Sequence, residues 1–150
     1  MIETQNIEQM LDKVGVCVTG FSGTSMMPML NKDTDRALIV KPNAPLKPGD
    51  IVLYRRDNIY ILHRILKING ENLVIRGDNC TAVETQYKTG DVIGVLGGFY
   101  RNGKFIECTE EYSQKYAKAA DRTYLRRKIL LYAAALKNRI IKPKNNKQER

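Results

Sequence analysis

The chain has 150 residues, 43% of them hydrophobic, with 25 Lys/Arg, 16 Asp/Glu and one histidine. That length buries one ordinary core and gives no compositional ground for several domains, so one folded body with an appendage is expected. The formal charge of +9 is localised: residues 122 to 150 hold ten Lys/Arg against Glu149 alone, which leaves 15 basic and 15 acidic residues in positions 1 to 121. A basic run of this kind can meet nucleic acid, anionic lipid or an acidic partner, and commonly is no more than a solvated face.

Ile7, Met10, Leu11 and Val14 recur at helical spacing, which predicts a short amphipathic helix over residues 4 to 13, within an N-terminal unit of residues 1 to 13. Val14, Val16 and Val18 then alternate as a strand does. Phe21 to Asn31 reads as a loop and Ala37 to Val40 as a second strand, after which Pro42, Pro45, Pro48 and Gly49 break regular structure. Ile51 to Arg56 and Ile59 to Lys67 are β-rich runs around Asp57-Asn58, a hairpin pattern. Asn69-Gly70 turns the chain into Asn72 to Arg76, and Asn102-Gly103 joins Asp91 to Tyr100 with Lys104 to Cys108.

From Glu110 the pattern becomes helical, and Leu125, Ile129, Tyr132, Ala133, Leu136 and Ile140 share one face. About seven closely spaced strands predict a mainly β fold of antiparallel strands over residues 14 to 108, followed by a basic helical tail over residues 109 to 150. The apolar face of the tail is expected to dock on the β-domain, with a lipid interface as the alternative.

Cys17, Cys80 and Cys108 are odd in number and form no CxxC pair, so neither a disulfide framework nor a zinc site is expected, and no cofactor is called for. Residues 1 to 13 are polar and acidic, unlike a secretory leader, and the longest apolar run, Ile129 to Leu136, has eight residues. A spanning helix needs about 20. The expectation is a cytoplasmic protein that does not span the membrane, with peripheral contact at the inner membrane face open to its basic tail.

His63 is the only histidine and alternates with Ile59, Ile61 and Ile65 on one strand face. A lone histidine on an apolar face is more often a packed core residue than a catalyst, so the reading depends on what else the chain offers. Ser25 lies in Ser22-Gly23-Thr24-Ser25-Met26-Met27-Pro28, a tight loop after the first strand. There a serine can be exposed with its own backbone N–H turned to a substrate, as acyl transfer requires. Met27 stands where the α/β-hydrolase elbow needs glycine, which argues against that class. Arg76-Gly77-Asp78-Asn79 closes a strand and, taken alone, reads as a turn in which the aspartate caps its own backbone. Cys80 is a second candidate nucleophile opposite His63.

Taken together, four boxes in order over residues 22 to 95 resemble the signal peptidase I / LexA-like serine peptidase superfamily. Ser25-Met26-Met27-Pro28 resembles its nucleophile box, Pro48-Gly49-Asp50-Ile51-Val52 the Gly-Asp-hydrophobic box, Ile61-Leu62-His63-Arg64-Ile65 the general-base box and Gly77-Asp78-Asn79 the last box. The His63-Arg64 pair resembles the Ser/His, endoplasmic-reticulum-type branch rather than the Ser/Lys one. The resemblance implies Ser25 as nucleophile, His63 as general base and Asp78 as the group that orients His63. Glu84, which stands where that branch has a second aspartate, is implied as an accessory residue. Gly23 replaces a serine that helps the oxyanion hole in many relatives, which leaves the Ser25 N–H as the identified oxyanion donor. No box supports Cys80.

The expected activity is therefore serine endopeptidase cleavage of a peptide or precursor protein. A LexA-like self-cleaving regulator and a catalytically silent peptide-binding module are the alternatives. LexA-type repressors carry a helix-turn-helix before the protease domain, and the 13 or so residues ahead of the first strand are too few for one, so nucleic acid is not an expected partner.

Overall fold

The computed structural model describes residues 7 to 141, with side chains as far as Leu136. Helix α1 (Ile7–Val14) leads through Gly15 into β1 (Val16–Thr19), and β2 (Asp35–Val40) follows the Phe21 to Thr34 loop. Then come β3 (Ile51–Arg56), β4 (Ile59–Asn69), β5 (Asn72–Arg76), β6 (Val92–Arg101), β7 (Lys104–Glu107) and α2 (Glu110–Ile141). The fold is mainly antiparallel β, as the strand pattern predicts. The first part of the expected N-terminal helix, residues 4 to 6, lies outside the described residues.

All pairings are antiparallel, in the order β1-β2-β6-β3-β4-β5, with β7 also on β6. The hairpins form where their turn residues allow. Asp57 takes φ 54° between β3 and β4, and Asn102 and Gly103 take φ 51° and 77° between β6 and β7. Two successive left-handed residues match the twist of the flanking strands, which is why Asn-Gly marks the site.

β3 is buried at four successive positions because the sheet is covered on both faces there. Ile51 and Leu53 enter one apolar cluster with Ile39, Met29, Leu96 and Phe99. Val52 and Tyr54 enter the other with Ile65, Leu73 and Ile75. β4 obeys the same two-residue period, so the neighbours His63 and Arg64 leave on opposite faces, both buried.

Helix α2 docks through one side only. Tyr112 and Tyr116 pack on the first cluster, and Ser113 and Ala120 are buried. Asp121 takes Arg76 at 2.7 Å, and the Arg76 guanidinium lies 4.2 Å from the centre of the Tyr124 ring. Arg127 makes the last hydrogen bonds to the body among the described residues, at Asn79. The expected docking of Leu125, Ile129, Tyr132 and Leu136 does not occur: they are 60%, 60%, 70% and 58% exposed. Ala120, Tyr124 and Arg127, spaced i, i+4, i+7, already occupy the docked face, and the apolar stripe lies on the other side of the helix. The Ile140 side chain lies outside the described residues. Among the described residues no helix is long and apolar enough to cross a membrane.

This division predicts contrasting substitution costs. Ile39→Ala, at a fully buried position, is expected to lose about 2–5 kcal/mol in urea unfolding. Ile129→Ala is expected to stay within about 0.5 kcal/mol.

Candidate active site

The β3–β4 hairpin has a two-residue turn, which fixes its register: Val52 faces His63 and Tyr54 faces Ile61. Tyr54 and His63 are therefore diagonal neighbours on one face, where their side chains meet. Tyr54 Oη lies 3.0 Å from His63 Nδ1. The third member comes from the segment after β5. Ile75 and Glu84 exchange backbone hydrogen bonds of 2.9 and 2.8 Å, which seats Glu84 beside the sheet. Glu84 Oε1 then lies 2.9 Å from His63 Nδ1 and accepts from Tyr54 Oη at 2.8 Å, while Arg56 donates to Oε2 at 3.3 Å.

This triangle fixes the state of the imidazole. Burial and the adjacent Glu84 push the Tyr54 phenol far above its ordinary pKa, so it stays a hydroxyl and donates to Glu84. A neutral His63 then carries its proton on Nδ1, where Glu84 accepts it, and its lone pair on Nε2. Burial lowers the His63 pKa below 6.5; the charge and hydrogen bond of Glu84 oppose the shift without reversing it.

Nε2 points towards Gly77. A Cβ at that position would stand 2.9 Å from His63 Nε2, 2.8 Å from the Ser25 carbonyl oxygen and 2.8 Å from Cys80 Sγ. These three atoms converge on one spot, and the imidazole and the Ser25 backbone come within roughly 6 Å of each other there. The reason for a glycine at the end of β5 is the close approach of these groups.

The Ser25 loop is pinned from the same side. Met27 N–H donates to Thr24 O at 3.1 Å, closing a turn around Ser25 and Met26. Asn79 N–H donates to Ser25 O at 2.7 Å and Asn79 Nδ2 to Thr24 O at 3.0 Å. Arg127 of α2 grips the acceptors of that asparagine, Nη1 to Asn79 O at 2.5 Å and Nη2 to Oδ1 at 2.6 Å. The Ser25 N–H makes no hydrogen bond among the described residues.

Asp78 differs from the expectation. It is buried, but its carboxylate receives Arg64 Nε and Nη2, each at 2.7 Å, and it makes no hydrogen bond to His63. The cause is the strand period: Asp78 lies on the Arg64 side of β4 and Glu84 on the His63 side. The orienting role assigned to Asp78 therefore falls to Glu84, and Asp78 contributes only its more distant negative charge to His63. Cys80, which no sequence box singled out, has its sulfur at the convergence point. Burial and Glu84 raise its thiol pKa, which keeps it protonated and a weak nucleophile.

A groove of about 640 Å³ runs to Ser25 between the end of β1 and the β3–β4 hairpin. Its floor is apolar, with Phe21, Met26, Ile39 and Leu62, and Lys32 and Arg36 also line it. Among the described residues no cluster of ligands could hold a metal ion. Tyr54, Asn79 and Arg127 are site residues that sequence reading did not identify. Tyr54 left a signal through its place in a two-residue hairpin opposite the His63 strand, and Asn79 through its place in the Gly77-Asp78-Asn79 box. Compared with models of known families and with curated proteins, the sequence matches none.

Two outcomes follow from this geometry. Asp78→Asn leaves the buried Arg64 charge uncompensated and is expected to cost about 3–5 kcal/mol in chemical unfolding, more than a turn residue would. A histidine whose pKa is lower folded than unfolded favours the folded state when neutral, so its contribution is lost as pH falls below 6.5 towards the folded pKa. Thermal unfolding of wild type should weaken over that window, and His63→Gln should flatten that part of the dependence.

Proposed function

We propose that the chain is a serine endopeptidase in which Ser25 is the nucleophile, His63 the general base and Glu84, with Tyr54, the holder of the His63 tautomer. One observation carries the reading: Nε2 of His63 and the Ser25 backbone approach each other at Gly77, while Nδ1 is held from behind by Glu84 and Tyr54. A nucleophile loop facing a base, with a third group orienting that base, is the kind of arrangement that acyl transfer uses. The resemblance of the Ser25, Asp50, His63 and Asp78 boxes to signal peptidase I / LexA-like enzymes supports Ser25 and His63 in these roles from the sequence.

In the proposed cycle Ser25 Oγ attacks the scissile carbonyl as Nε2 takes its proton. The imidazolium is stabilised by Glu84, and the unengaged Ser25 N–H is an oxyanion donor. Nε2 returns the proton to the leaving amine, and a water releases the acyl group by the same route. The substrate is an extended peptide: the groove is bounded by Thr19 and Gly20 at the end of β1, and β1 pairs with β2 alone. Such an edge offers main-chain hydrogen bonds, and the apolar floor takes an apolar side chain near the scissile bond.

Mass spectrometry of a diverse peptide pool tests the assignment. Wild type is expected to make new termini that Ser25→Ala and His63→Ala do not. Cys80→Ala is expected to retain them. Glu84→Gln is expected to lower turnover by two or more orders of magnitude, since misorientation of the base is costly in Ser/His enzymes. Turnover should rise with pH through a value below 6.5. Identical termini from wild type and both variants would reduce the site to peptide binding.

A further inference from the structure

Beyond Arg127, α2 leaves the body while becoming more apolar. Leu125, Ile129, Tyr132 and Leu136 follow i, i+4, i+7, i+11 spacing, and each is more than half exposed. At 100° per residue they fall within one narrow stripe, roughly 150° round the helix from the docked line of Ala120, Tyr124 and Arg127. Leu130 and Leu131 are also exposed, 68% and 61%, but lie roughly 130° round the helix from this stripe, one on each side of it. From Arg127 to Leu136 the arm extends about 14 Å. Isolated exposed leucines need no explanation, but a continuous apolar stripe on a helix does.

The charges select the occupant. Arg122, Arg126 and Lys128 are exposed beside the stripe, and no acidic residue occurs between Asp121 and Glu149. The excess charge of the whole chain sits in this segment. A second copy would bring like charges together. A nucleic acid would leave the aliphatic stripe in water. An eight-residue apolar core is too short to cross a bilayer. A helix with aliphatic and aromatic groups on one side and only cations flanking it matches a surface that is anionic outside and apolar just beneath.

We propose that residues 122 to 136 of α2 dock on an anionic lipid bilayer, lying in its interface with Leu125, Ile129, Tyr132 and Leu136 among the acyl chains. This holds whatever the catalytic site does, so it stands apart from the peptidase assignment. Flotation of the full chain with vesicles of phosphatidylcholine alone, or with roughly a third phosphatidylglycerol, tests it. Wild type should float with the anionic vesicles only, and less at high salt.

Ile129→Gln combined with Leu136→Gln should weaken flotation at least about ten-fold, and so should neutralising Arg122, Arg126 and Lys128 to Gln. Circular dichroism should report an intact fold for both, since all five positions are exposed. No flotation of wild type, or flotation unchanged in the variants, overturns the proposal. A dimer of wild type in sedimentation that the Ile129→Gln/Leu136→Gln variant dissolves, without any lipid binding, overturns it in favour of self-association.

Discussion

A guanidinium with 1% exposure sits at the centre of this fold, and its satisfaction constrains much that surrounds it. Arg64 donates twice to Asp78, to the carbonyls of Gly49 and Ser113, to the Ser113 hydroxyl, and approaches Met29 Sδ. A buried charge that lacked these partners would be strongly unfavourable. Five separated pieces of chain are thereby required to meet: the Met29 loop, the turn before β3, β4 itself, the segment after β5 and the first turn of α2. Because His63 is the preceding residue on β4, the side chain that collects these pieces also fixes the strand that presents His63.

The consequence is a division of labour between the two faces of one strand. On the Arg64 face the carboxylate of Asp78 is committed to a bidentate ion pair. On the His63 face the acid is Glu84, the donor is Tyr54, and burial lowers the His63 pKa more than the nearby negative charge raises it. Two carboxylates lie only six residues apart in the chain, but strand geometry gives one to structure and the other to the imidazole. The family resemblance names both carboxylates and does not separate these roles.

What was legible in the sequence was local. Asp57-Asn58, Asn69-Gly70 and Asn102-Gly103 announced their hairpins because the turn conformation depends on those residues themselves. The alternation of Ile59, Ile61, His63 and Ile65 placed His63 on a buried face for the same reason. Glu84 is legible only through the resemblance, as an accessory residue, since the segment after β5 has no period and its seating depends on a backbone bridge to Ile75. The docked side of α2 was misjudged because large apolar residues outweigh Ser113, Ala120 and Arg127 in any pattern. The contacts that hold the helix are instead an ion pair, a cation on a ring and a forked hydrogen bond.

The double role of Asn79 has a consequence for the order in which the chain is made. Its amide groups hold the Ser25 loop, and its carbonyl groups are held by Arg127. Ser25 precedes in the chain both Asn79 and Arg127, the two residues that clamp its loop. A nascent chain halted anywhere before residue 127 therefore lacks the full set of contacts that pins the Ser25 loop, and translation itself delays their completion until Arg127 has emerged.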